Sequence, residues 1–284
     1  MLLLMSLSLT GYAQLPSVVK KQRAERERIA AAKIDTITVV EYAYKGANPE
    51  KTGRPDTKLA FDERGNKTLE ARLNAKGEVD TKQTFAYDAN NNCTELKSFM
   101  EFETLSYTLK SSYNAQNLLT EAVNEDNMSK SGSGRKQVYA YNGKGQLAEM
   151  KYLDSKGTVG YRDVYSYDDK GNCVKAVRYR VDESIEFKET MSYDAQGRCT
   201  ETQRFVGMEF DEATAKLEKK TTYKYDAQGN VTEEAVMNAK NKLESKLVHS
   251  YDAQGLLAQT IVWGGKKAPA KPMTLRKYVL HTRP

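Results

Sequence analysis

The sequence predicts an all-β protein, an antiparallel meander of repeated β-hairpins with about 16 to 18 strands, forming a long curved sheet, an open barrel or a partial shell. Three patterns predict it. An aromatic residue followed by Asp or Asn, two loosely restrained residues, and then Gly or Asn begins at Phe61, Tyr87, Tyr113, Tyr141, Tyr167, Tyr193, Tyr225 and Tyr251, at intervals of 26, 26, 28, 26, 26, 32 and 26 residues. Upstream, Phe85/Tyr87, Tyr139/Tyr141, Tyr165/Tyr167 and Tyr223/Tyr225 are spaced by two, so each pair shares one face of a strand. Downstream, the slot opening the next strand holds Lys67, Cys93, Leu119, Leu147, Cys173, Cys199, Val231 and Leu257; seven of the eight are apolar, so the slot is expected to be buried.

The turns set the register. Eight are expected, at 61–66, 87–92, 113–118, 141–146, 167–172, 193–198, 225–230 and 251–256. An Asx side chain at the first corner bonds the backbone two residues on, and Gly or Asn three residues later accepts the left-handed conformation that closes a bulged hairpin. Asp168 with Gly171, Asp194 with Gly197, Asp226 with Gly229, and Asp252 with Gly255 are therefore structural turn residues. Each period then holds two strands and a more variable linking turn, such as Ala75–Gly77, Asp154–Gly157, Ser129–Gly134 and a longer insertion between Gly207 and Leu217. Flanking strands are expected at Ile37–Tyr44 and near Thr274–His281.

Segments such as Tyr225-Asp226-Ala227-Gln228-Gly229-Asn230 and Tyr167-Asp168-Asp169-Lys170-Gly171-Asn172 resemble the tyrosine-aspartate (YD) repeats of bacterial rearrangement-hotspot (RHS) proteins and animal teneurins. The resemblance covers roughly residues 55 to 262 and implies spiralling sheets that form shells around cargo, or cell-surface modules linked with carbohydrate and partner binding. The chain is short, and no separate toxin module can be made out after the last repeat, so a small secreted bacterial relative is implied rather than a cargo shell.

Composition agrees with a thin, solvent-rich sheet: mean hydropathy is −0.71 with 39% hydrophobic residues. The net charge of +6 is concentrated at the two ends, in Lys20–Lys33 and Lys266–Arg283, leaving the repeat body net acidic. Nucleic acid is accordingly not an expected partner.

The apolar run Leu2–Leu9 followed by Gly11-Tyr12-Ala13 reads as a signal peptide over residues 1–13, making Gln14 the first mature residue and the protein exported: periplasmic, cell-surface or extracellular. The run is too short to span a bilayer, so no transmembrane segment is expected. Residues 14–35 form a basic segment of helical composition, and residues 36–284 a single hairpin-repeat domain.

Cys93, Cys173 and Cys199 occupy the same repeat slot, two strands apart or more in a regular meander. That separation, about 9.6 Å, exceeds the roughly 7 Å limit for a disulfide, so all three are expected as reduced core residues. His249 falls two residues before a repeat tyrosine, a packing position, and spacings for metal ligands or phosphate loops are lacking. No cofactor, metal or catalytic residue is expected, and the protein reads as a non-enzyme.

Two functions fit. The first is a binding module in which Tyr139, Tyr141, Tyr165, Tyr167, Tyr223 and Tyr225 line a concave face and stack on a polysaccharide or meet a cell-surface protein. The alternative is a structural envelope scaffold with no small ligand, in which those rings merely pack; a hydrolase is a third reading. The sequence leaves oligomeric state open.

Overall fold

The fold is described from a computed structural model over residues 14–128, 134–264 and 271–284. The expected signal peptide and most of the Ser129–Gly134 link lie outside the described residues. Helix α1 (Pro16–Ala31) leads into β1 (Ile34–Lys45), β2 (Asn48–Pro49), β3 (Arg54–Phe61), β4 (Lys67–Leu73), β5 (Val79–Tyr87), β6 (Cys93–Met100), β7 (Thr104–Tyr113), β8 (Leu119–Asp126), β9 (Arg135–Tyr141) and β10 (Leu147–Leu153). The meander continues through β11 (Val159–Tyr167), β12 (Cys173–Arg180), β13 (Ile185–Tyr193), β14 (Cys199–Val206), β15 (Lys216–Tyr225), β16 (Val231–Asn238), β17 (Leu243–Tyr251), β18 (Leu257–Gly264) and β19 (Lys271–Thr282). Apart from β2, a two-residue return on β1, each strand pairs antiparallel with its sequence neighbours.

The result is a closed barrel of 18 strands. The two flanking strands close it: β1 pairs with β3 on one side and with β19 on the other, in a register that sets Ile37 against Leu280 and Val39 against Tyr278. An open barrel or partial shell was compatible with the repeat pattern; pairing of these two non-repeat strands removes both sheet edges.

All eight repeat turns have the expected conformation, with the fourth residue left-handed, from φ 60° at Asn117 to 84° at Gly171 and Gly229. At Asp168 the carboxylate accepts from the Asn172 amide at 2.7 Å, and the Gly171 amide donates to the Asp168 carbonyl at 3.0 Å. The carbonyls of Asp194, Asp226 and Asp252 accept in the same way from the amides of Gly197, Gly229 and Gly255, at 3.0, 3.1 and 3.0 Å. Tyr167 pairs with Cys173 while Ser166 pairs with Lys175, so Val174 is the bulged residue. The linking turns use the same chemistry: Gly77, Gly157, Glu183 and Asn241 are left-handed, and the amides of Gly77, Gly157 and Asn241 bond back to Asn74, Asp154 and Asn238.

Beyond its own turn, Gly197 also abuts the turn before it. At φ 75°, a Cβ on Gly197 would lie 3.4 Å from Oδ1 of Asn172, at the near limit of van der Waals contact. Gly171 is tighter still against Gln146 Nε2 at 3.1 Å, and Gly255 faces the Arg28 guanidinium carbon at 3.5 Å. The reason is the stacking of successive hairpins along the rim, which no single turn reveals.

Alternation sends the repeat tyrosines, the slot residues and the residues three beyond them into the lumen. Phe85, Leu96, Leu109, Leu119, Tyr139, Leu147, Met150, Tyr165 and Cys173 form one buried cluster with Leu15, which immediately precedes α1. Ile29, near the other end of α1, packs with Ile37, Leu59, Phe61, Leu256 and Tyr278 from the opposite part of the ring. One helix meeting both walls must lie inside, across the mouth formed by the repeat turns. Eighteen strands at about 4.8 Å give a backbone diameter of about 30–35 Å with strand tilt, and a 16-residue helix of about 24 Å fits the width left by the side chains. Its seat is close: a Cβ on Gly65 would lie 2.2 Å from the Arg26 carbonyl oxygen, and Arg28 donates to Asn230 at 2.9 Å and to the Gly255 carbonyl at 3.2 Å.

The insertion between Gly207 and Leu217 forms a strap on the outer wall. Met208, 1% exposed, sits with Val177 and Ile185, while Glu212 holds Lys175 and Lys188 at 3.3 and 3.2 Å.

Candidate functional site

Every repeat tyrosine after the first copy makes the same bond. The hydroxyls of Tyr87, Tyr113, Tyr141, Tyr167, Tyr193, Tyr225 and Tyr251 donate at 2.6 to 2.9 Å to the carbonyls of Lys67, Cys93, Leu119, Leu147, Cys173, Cys199 and Val231, the slot residues of the preceding hairpin. The reason is local. The β12–β13 ladder begins only at Lys175, so the Cys173 carbonyl lacks a ladder partner on that side, and the Tyr193 hydroxyl supplies the donor. Phe61, in the first copy, has no preceding hairpin to lock.

All six tyrosines predicted as a binding surface therefore face the lumen. Tyr139 and Tyr165 are each 5% exposed, and Tyr141, Tyr167, Tyr223 and Tyr225 are half-buried. Burial pushes the Tyr141 hydroxyl up to about 12 and raises the others further. The face is concave, and it is packed. Tyr139 and Tyr141, on β9, lie two strands from Tyr165 and Tyr167, whereas Tyr223 and Tyr225 lie four strands further round, on β15. Tyr165 and Tyr167 reach a notch of about 420 Å³ between two neighbouring turns, lined also by Asn142, Lys144, Gln146 and Asp169. Elsewhere on the rim the residue after the turn Gly or Asn bridges to the next turn: Asn66 donates to Asn91 and Asn92 to Asn117, both at 2.9 Å. At the notch Gln146 replaces Asn and reaches the Gly171 carbonyl only at 3.5 Å. After Gly197 the same position holds Arg198, which donates to the Asp194 carboxylate at 2.6 Å and reaches the Asp226 carbonyl of the next turn at 3.4 Å.

The turn aspartates serve the turns. Asp168 is held below the usual carboxylate range, first by the Asn172 side chain and then by backbone amides. His249 is buried, bonded through Nδ1 to Thr260 at 2.9 Å, and burial lowers it to about 4, so it is neutral. Among the described residues no group of three His, Cys, Asp or Glu is placed to hold a metal ion. Cys93, Cys173 and Cys199 are free thiols.

The half of the lumen farther from α1 carries a cluster that the sequence pattern did not single out. Arg178 grips Asp163 through Nε at 2.7 Å and Nη2 at 2.9 Å. Its guanidinium lies 4.1 Å from the Tyr161 ring centre, 4.8 Å from Phe187 and 5.3 Å from Tyr152. Arg204 stacks on Phe187 at 3.7 Å and pairs with Glu189 at 3.0 Å and Glu218 at 2.9 Å. Aligning the repeats picks out this position, five past the slot, where Arg178 and Arg204 stand beside Arg72 and Tyr152 while other copies carry Ser98, Asn124, Val236 and Val262.

The outer wall is charged. Glu121, Glu149, Glu201 and Glu233, each two residues past its slot, pair with Lys136, Arg162, Lys220 and Lys246, each five before the next repeat tyrosine. No helix among the described residues is long and apolar enough to cross a membrane.

No protein-family model matches the chain, and no curated protein matches it. Among solved structures, it is similar to a porin-like protein from Bacteroides uniformis, with TM-score 0.43, 11% identity and coverage of 88% of this chain and 97% of that one. A porin-like protein from Bacteroides vulgatus gives TM-score 0.37 and 12% identity over 88% and 98%. A chain of the Photorhabdus luminescens Tc holotoxin pore gives 0.33 and 14%, covering 87% of this chain but 16% of that one. These distant likenesses carry no functional argument.

Proposed function

We propose that the protein is an exported, non-catalytic barrel scaffold that works in water at the cell envelope or outside it. The observation that carries this reading is the row of seven tyrosine locks, in which the residues best suited to binding hold the wall together instead. The outer ion pairs support the aqueous setting, since a lipid-facing barrel wall carries an apolar band and each charge at its midplane costs about 2–4 kcal/mol. Fractionation of the native cells tests it. The protein should leave with the periplasmic or extracellular fraction without detergent, beginning at Gln14 by mass spectrometry; cytoplasmic protein with Met1 intact, or protein extracted only by detergent, would overturn it.

A second reading, binding of a polysaccharide or a cell-surface protein, is favoured by the rim notch, whose tyrosine floor and amide, ammonium and carboxylate walls suit hydroxyl-rich ligands. A glycan array with the full chain and the Lys144→Ala and Asp169→Ala variants tests it. Glycan binding lost in either variant would support it, and binding unchanged in both, or absent in the parent, would count against it.

A further inference from the structure

We propose that the lumenal stack Tyr152–Tyr161–Arg178–Phe187–Arg204 is a binding site for a neutral oligosaccharide entering by the mouth opposite helix α1. The site is separate from the rim notch and from the tyrosine locks.

The repeats act as their own control. At the register position of Arg204 the later copies carry Val236 and Val262, and at that of Tyr161 others carry Thr81 and Ser245. The wall closes equally well there, so the fold does not require the stack. Both guanidiniums are half-buried, at 19% and 27% side-chain exposure, and holding two like charges side by side partly out of water is a cost that the other copies avoid.

The geometry points to a ligand. Stacking and one or two carboxylates fix each guanidinium plane, while Nη1 of Arg178 and Nη2 of Arg204 have no hydrogen-bond partner among the described residues. Solvent reaches this half of the lumen, since Arg72, Asp126 and Arg135 on the same inner face are exposed. The ring faces are taken up by one another and by the arginines, so the wall offers edges: guanidinium and phenol donors beside the carboxylate oxygens of Asp163 and Glu189.

Charge selects the class. Asp163, Glu189 and Glu218 stand against Arg178 and Arg204, with Arg180 opposite Tyr161 and Lys219 opposite Arg204 on the same face, so the two signs nearly balance and no net field favours a charged ligand. Sugar hydroxyls both donate and accept, and so match a row of alternating donors and acceptors.

Calorimetry on the full chain tests this with cellohexaose, maltohexaose, xylohexaose and chitohexaose, and with hexagalacturonate as the acidic counterpart. At least one neutral hexaose should bind, Arg204→Val and Tyr161→Ser should each weaken it by about tenfold or more, and Lys224→Ala on the outer wall should leave it unchanged. Denaturation midpoints check that the variants fold, with Arg204→Gln replacing Arg204→Val if its midpoint falls. Binding of none of the neutral sugars, binding of the acidic one alone, binding that survives both lumenal substitutions, or binding lost with Lys224→Ala would overturn the proposal.

Discussion

The Tyr193 hydroxyl donates to the Cys173 carbonyl at 2.7 Å, across one hairpin, and that bond is the unit from which the wall is assembled. Tyr193→Phe keeps the ring and leaves a half-buried carbonyl without its donor. The loss should be about 1 kcal/mol, whereas Tyr193→Ala should cost about 3–5 kcal/mol through the cavity. Urea denaturation midpoints of the two variants check the ordering, and equal midpoints for Tyr193→Phe and the parent would show that the bond contributes nothing.

Two turn glycines separate backbone strain from helix docking. Both Gly65 and Gly229 are left-handed, at φ 78° and 84°, but a Cβ on Gly229 meets nothing within 4 Å, whereas one on Gly65 strikes the Arg26 carbonyl. Gly229→Val should cost about 1–3 kcal/mol and Lys240→Val much less. Gly65→Ala should destabilise more than Gly229→Ala and expose α1 to limited proteolysis, with the two alanine variants compared by denaturation and by cleavage near Arg26.

The thiols should be reduced and unreactive. Burial pushes Cys93 and Cys173 up to about 12 and Cys199 up to about 11. At pH 8 iodoacetamide should label none of the three quickly in the folded protein and all of them in urea. Fast labelling of native Cys173, or a Cys173–Cys199 disulfide by mass spectrometry, would contradict the register.

Helix α1 carries a pH dependence. Burial raises Glu25 to about 7, opposed by Lys21, Lys67 and Arg28. The folded state therefore binds this proton more tightly than the unfolded chain, and stability from this group falls as pH rises from about 4.5 to about 7. Glu25→Gln should raise the denaturation midpoint at pH 8 and change it little at pH 4; the same shift at both pH values would place Glu25 in solvent.

The turn residues were legible in the sequence because their role is local. An Asp with Gly or Asn three residues later needs only its own backbone to make the turn, and all eight sites adopt it. The contact of Gly197 with Asn172 was not legible, since it joins two turns 25 residues apart. The two-residue tyrosine spacing put Tyr165 and Tyr167 on one face of their strand, because alternation is a property of the strand itself; that this face lines the lumen came only with closure. The lumenal arginines also escaped the pattern, since each is ordinary in its own strand and gains meaning only when Arg178 meets Asp163, Tyr161 and Phe187 from neighbouring strands.

By itself the sequence determined the hairpin repeat, its turn chemistry and which residues of each strand share a face. All three follow from interactions within a few residues, which recur with every copy. Only the tertiary structure decided that the sheet closes, that α1 lies across the mouth and that the tyrosines are covered. Closure depends on β1 meeting β19 some 240 residues away, a pairing such as Val39 with Tyr278 that is set by the summed twist of the intervening strands and that no local pattern encodes.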